Sequence, residues 1–119
     1  MNYLFSEMKI GPDDIVEVSL DKPANVRLLD ENNYYYYSNE LKFNSYGGWA
    51  KSFPVHISPP EDGIWNLCID LGGQPGTLKS TVTMNGRNQF VDMVWRCTET
   101  AKNKPSKKGG FFQKLFPKK

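Results

Sequence analysis

Few residues in this 119-residue chain are of types that do chemistry, and their spacing decides which chemistry is open to them. His56 is the sole histidine, and it alternates with Val55 and Ile57, which puts it on the outer face of a strand as a surface residue rather than a base. The adjacent carboxylates Asp13-Asp14 and Glu61-Asp62 sit beside proline and glycine, where acids serve the hydrogen bonding of turns. Cys68 and Cys97 are 29 positions apart with no C-x-x-C spacing, so neither a zinc site nor a disulfide framework is indicated and reduced thiols are expected. A hydrolase needs a nucleophile, a base and an oxyanion site within hydrogen-bonding reach. No such set is marked, and the expectation is a non-enzymatic protein without metal or cofactor.

Binding chemistry has better candidates. The run Tyr34, Tyr35, Tyr36, Tyr37 could offer stacking faces to a sugar or nucleotide. The plainer reading is that two of these rings pack beneath a loop while two stand out, since aromatics supply much of the buried area in a small domain. Asp70 falls on the same strand face as Asn66, either a solvated face or one bonded to the glycine turn that follows. That turn, Gly72-Gly73-Gln74-Pro75-Gly76, could cradle an anion with backbone N–H groups, although no lysine follows in P-loop spacing. A small-ligand site would therefore combine the four tyrosines with Asp70, Gly72 and Gly73.

The other candidate is the C-terminal stretch. Residues 101–119 hold seven lysines and no acid, whereas residues 1–100 hold eight basic and thirteen acidic residues, a balance of −5. The net charge of +2 thus describes neither part. Phe111, Phe112, Leu115 and Phe116 are spaced to share one face of a short helix, flanked by Lys107, Lys108, Lys114, Lys118 and Lys119. Each large side chain buried on docking contributes about 1.5–3 kcal/mol, and each lysine near an anionic leaflet about 1 kcal/mol. The expected role is docking to a partner protein or an anionic membrane surface. The lack of arginine in this stretch and the negative body argue against nucleic acid.

The elements that must position these residues are strands. Gly63–Gly73 carries the strongest signal: Trp65, Leu67, Ile69 and Leu71 alternate inward against Asn66, Cys68 and Asp70 on a solvated face. Val16, Val18 and Leu20 point inward from one strand, and Val26 and Leu28 from the next, which follows as a hairpin or a switch between sheets. Residues 2–9 suggest a weak edge strand. Polar Asp30 to Asn33 suits a loop leading to a short helix at Tyr34. Lys42 to Tyr46 reads as a strand turned by Gly47-Gly48, with Trp49 to Phe53 pairing back. Leu78, Val82 and Met84 face inward before an Asn85-Gly86 hairpin, whose returning strand, Gln89 to Thr98, alternates Val91, Met93, Trp95 and Cys97 against Phe90, Asp92, Val94 and Arg96. The sum is an all-β domain, a small antiparallel sandwich or barrel over residues 1–100, followed by a flexible basic tail over 101–119. The first nine residues lack a basic n-region and a long apolar run, so a cytoplasmic location is expected, peripheral at the inner membrane face if the tail docks there.

The run Asp21-Lys22-Pro23-Ala24-Asn25-Val26-Arg27-Leu28-Leu29-Asp30, with Tyr46-Gly47-Gly48, Ser52-Phe53-Pro54-Val55, Gly63-Ile64-Trp65, Asp70-Leu71-Gly72-Gly73 and Gly76-Thr77-Leu78, resembles a bacterial family of unknown function, DUF1883. The similarity covers roughly residues 1–84. It implies an all-β domain of bacterial cytoplasmic proteins, sometimes joined to a TIR domain, with no established chemistry or catalytic residues. Asn66 stands where members often carry histidine. The resemblance transfers a fold class and no site.

Overall fold

The computed structural model describes residues 1–85 and 91–98. Two antiparallel sheets face each other. The larger has the order β4 (Tyr46–Ala50), β3 (Ala24–Leu29), β6 (Gly63–Asp70), β1 (Asn2–Ile10), β8 (Val94–Cys97). The smaller has the order β5 (Val55–Ile57), β2 (Val16–Leu20), β7 (Ser80–Met84). All the strand pairs are antiparallel, as the all-β reading expects.

Alternation builds the core between the sheets. Leu4, Met8 and Ile10 of β1, Val26 and Leu28 of β3, and Trp65, Leu67 and Ile69 of β6 meet Val16, Val18 and Val82 of the smaller sheet. β2 and β3 belong to different sheets, so the Asp21-Lys22-Pro23 turn is the switch rather than a hairpin; the Asp21 carboxylate accepts the Lys79 N–H at 2.9 Å to hold it. His56 is exposed on β5, 3.2 Å from Glu17.

The outer face of the large sheet is covered as well. Helix α1 (Glu31–Ser38) starts at Asp30, whose carboxylate accepts the Asn33 N–H at 2.8 Å as an N-cap. It ends at Asn39, whose side chain donates to the Tyr35 carbonyl at 2.7 Å. Beneath it, Tyr3, Phe5, Leu29, Tyr37 and Cys68 form a second cluster, with Tyr34 and Phe43 against it.

This cover corrects two expectations. Asn66, Cys68 and Asp70 are buried rather than solvated, because α1 and the following loop lie over them. β1 is a nine-residue strand inside the sheet, not a weak edge; its pattern is blurred because both of its faces are apolar, Leu4 and Met8 toward one core and Tyr3 and Phe5 toward the other.

Three further readings change. Residues 42–45 are loop, and β4 contains both Gly47 and Gly48. Gly47 has φ +93°, and a Cβ there would run into the Val26 carbonyl of the neighbouring strand, so this glycine permits a close strand approach instead of a turn. α1 begins at Glu31, three residues before the expected Tyr34. Finally, Asn85 does adopt φ +57° and the returning segment meets β7 where Val91 donates its N–H to the Val82 carbonyl at 2.9 Å, but β8 then pairs with β1 in the large sheet. The tail residues 101–119 lie outside the described residues, as do Gly86 and Gln89 of the expected hairpin.

Candidate ligand cleft

Strand register sets Trp49, Asn25, Asp70, Tyr3 and Arg96 in one row across the outer face of the large sheet. Asp70, 2% exposed, is the centre of that row. Its Oδ1 accepts from Asn25 Nδ2 and from the Gly72 N–H, both at 2.8 Å. Its Oδ2 accepts the Tyr37 hydroxyl at 2.7 Å and lies 3.7 Å from Arg27 Nε. The Arg27 guanidinium in turn stands over the Phe43 ring at 5.1 Å, and Nη1 reaches Ser45 at 3.5 Å. A buried carboxylate is tolerable only with such compensation. Burial, and then the charge of Asp70, push the Tyr37 hydroxyl far above the usual phenol range; burial does the same to the Cys68 thiol, again with Asp70 adding to it. Both groups stay protonated at neutral pH. The network therefore ties helix, sheet and glycine turn together.

The tyrosine run divides as the plainer reading has it: Tyr37 is buried, Tyr34 half-buried with its hydroxyl 2.8 Å from that of Tyr3, and Tyr35 and Tyr36 are exposed on α1. Asp70 joins Tyr37 to Gly72 through hydrogen bonds, so these candidates meet inside the fold and not across a pocket. Tyr46 packs edge-on against Trp65 at 5.8 Å, and Trp49 is exposed on β4, the edge opposite β8.

The open concavity lies elsewhere, at the side where β8 joins β1. The large sheet has five strands and the small one three, and beyond β7 the chain passes through Val91, bonded to Val82, and Met93, packed on the core, before β8 joins the edge of the large sheet. Trp95 lies opposite Leu4 and Cys97 opposite Asn2, which gives these four side chains the inward-facing side of the sheet. Leu4 is covered by the core, whereas Trp95 stays 43% exposed. The glycine turn after β6 rises beside it, with φ +68° at Gly72, +85° at Gly73 and +124° at Gly76. Between them is a cavity of about 450 Å³ lined by Asn2, Gly76, Thr77, Trp95, Arg96 and Cys97. A second of about 210 Å³ shares Asn2, Gly76 and Trp95 and adds Gly73, Gln74 and Pro75. The larger is in the size range of small-molecule sites. None of the four tyrosines lines either cavity; of the ligand residues expected from sequence, Gly73 does.

Sequence reasoning missed Trp95, Asn2 and Thr77. The alternation groups Trp95 with Val91, Met93 and Cys97 without saying which side is inward; the pairing of β8 with β1 sets that. Among the described residues no cluster of His, Cys, Asp and Glu could hold a metal ion, and no helix is long and apolar enough to cross a membrane.

The model of a family described as a domain of unknown function, DUF1883, matches residues 1–88. No curated protein and no solved structure matches the chain. The wall of the cleft that β8 supplies lies beyond the matched residues.

Proposed function

The chain belongs to the DUF1883 family, and we propose that it is a non-enzymatic binding module whose ligand site is the cleft between β8 and the Gly72–Gly76 turn. One observation carries this reading: Trp95 is held on the inward side of an edge strand and stays 43% exposed beside the cavity. A large aromatic ring left half in water beside an open cavity loses burial that the core would otherwise supply, and a ligand ring stacked on it recovers that burial. Asn2, Thr77 and Gln74 offer uncharged donors and acceptors around it, Arg96 is a cation in the lining of the larger cavity, and no carboxylate or lysine lines either. That chemistry suits hydroxyl or ring-nitrogen groups, a sugar or the nucleoside part of a nucleotide, with Arg96 beside it. The non-enzymatic part of the reading is supported by Asp70, Tyr37 and Cys68, all buried and engaged in packing or hydrogen bonds.

Saturation-transfer NMR of the full chain with a panel of monosaccharides and nucleosides tests the reading. At least one compound should receive saturation, and the transfer should disappear in Trp95→Ala. A panel that stays silent, or a signal unchanged in W95A, would overturn it.

A second reading concerns the basic tail. The charge contrast between residues 1–100 and 101–119, with the spacing of Phe111, Phe112, Leu115 and Phe116, supports docking to an anionic membrane surface and a peripheral position there. Co-sedimentation with phosphatidylserine vesicles should fall when those four residues are replaced by serine; equal pelleting of both chains would refute it.

A further inference from the structure

We infer that the cleft takes a linear chain of uncharged sugars, two units at the least, with one unit in each of its two cavities and Trp95 between them. The inference rests on the cleft being the ligand site and names its substrate class.

Charge separates a sugar from a nucleotide here. The Gly72–Gly76 turn has the composition of an anion cradle, but its donors are engaged. The Gly72 N–H bonds Asp70 Oδ1 at 2.8 Å, the Gln74 N–H bonds the Leu71 carbonyl at 3.3 Å, and Pro75 has no N–H to give, so none of these three serves a phosphate. Arg96 lines the larger cavity, but it alternates with Trp95 and Cys97 along β8 and lies opposite Tyr3. Its guanidinium stands over the Phe5 ring at 4.3 Å, among the aromatic residues of the outer face, and a phosphate would have to draw it away from that ring. The other polar side chains around Trp95 are uncharged: the Asn2 amide and Thr77 hydroxyl in the larger cavity, and Asn2 again with the Gln74 amide in the smaller. Each amide offers donors and an acceptor together, which neighbouring hydroxyls on a sugar ring can use at once. The C–H face of such a ring meets the negative face of the indole.

Two units follow from the layout. The cavities, of about 450 Å³ and about 210 Å³, share Asn2, Gly76 and Trp95, so the tryptophan forms part of both walls. A single sugar or nucleoside stacked on Trp95 occupies one cavity and leaves the other to water. A second sugar, joined to the first, reaches the other cavity with its translational freedom already lost, so its contacts appear directly as affinity. Thr77 lines only the larger cavity and Gln74 only the smaller, which makes Gln74 the side chain that marks the second unit.

Amide-shift titrations of the full chain give Kd for glucose, cellobiose and cellotriose, for N-acetylglucosamine, chitobiose and chitotriose, and for adenosine and AMP. In at least one sugar series the disaccharide should bind at least about tenfold more tightly than the monosaccharide. In Gln74→Ala, a change at an exposed turn position, that ratio should fall to about one. AMP should bind no more tightly than adenosine. Equal affinity for one and two sugar units, a ratio unchanged in Q74A, or AMP preferred over adenosine would overturn the inference. The two claims also separate: monosaccharides or nucleosides that bind through Trp95 without any gain from a second sugar keep the cleft as the ligand site and remove the sugar chain. A panel with no binder removes both.

Discussion

Replacing Asp70 by asparagine keeps the side chain's size and removes its charge, which isolates what the buried carboxylate does. The remaining oxygen can still accept from Asn25 and Gly72, each 2.8 Å from Oδ1. The new amide, however, takes the place of Oδ2 and presents donors to the Tyr37 hydroxyl and to Arg27 Nε, which makes no hydrogen bond and relies on the 3.7 Å ion pair with Oδ2. Losing a hydrogen bond to a charged acceptor costs about 1.5–3 kcal/mol, and leaving a buried partner charge uncompensated about 3–5 kcal/mol. Arg27 is partly exposed and keeps its contacts with Phe43 and Ser45, so water screens part of its loss. The expected net destabilisation of D70N is about 2–4 kcal/mol, a fall in Tm of about 10–25 °C for a body of this size. Urea unfolding followed by near-UV circular dichroism reads it, and Tyr37→Phe alone should cost about 1.5–3 kcal/mol. In the double variant the two losses should fall short of their sum, since both remove the same bond. A D70N chain within about 0.5 kcal/mol of the parent would refute the view that Asp70 anchors helix, sheet and turn.

Three further outcomes follow from the same geometry. Tyr3 and Tyr37 hydroxyls are raised above their ordinary value, chiefly by burial and then by the Tyr34 hydrogen bond and the Asp70 charge respectively. Their phenols ionise near 10 in the unfolded chain and higher in the fold, so this stabilisation is complete below about pH 10 and is lost as pH rises beyond it; urea midpoints should decline there, and less steeply in Y37F. Gly47→Ala puts a Cβ against the Val26 carbonyl at φ +93° and should destabilise by at least about 1–3 kcal/mol in thermal melts, whereas a neutral result would contradict the strand packing. Trp95→Ala should cost about 1–2 kcal/mol in stability, less than a fully buried aromatic because the residue is 43% exposed, so in a variant that still melts cooperatively lost binding reflects the site.

Much of the fold was legible in the residues. β2 and β3 have one face in the core and polar residues on the other, and their period of two gave the right inward sets, Val16 with Val18 and Val26 with Leu28. β1 and β6 were harder because each is buried twice. Local alternation in β6 marked Asn66 and Asp70 as solvated, and nothing nearby in sequence says that a helix 33 residues away sends the Tyr37 hydroxyl to Asp70. Tyr46-Gly47-Gly48 looked like a turn because the reason for its glycines is a neighbouring strand, not a reversal. The candidate site was read in part for the same cause. Gly73 follows from turn chemistry, but both sides of Gln89 to Thr98 carry apolar residues, so alternation alone does not say which side Trp95 takes; its pairing with β1 does.

The central claim, that the cleft beside β8 is the ligand site, is tested most directly by amide chemical-shift mapping of the full chain. A sugar or nucleoside that receives saturation should shift Asn2, Gly73, Gly76, Thr77 and Trp95 and leave Tyr35 and Tyr36 on α1 in place. Shifts centred on Tyr35 and Tyr36, with the β8 side unmoved, would contradict it.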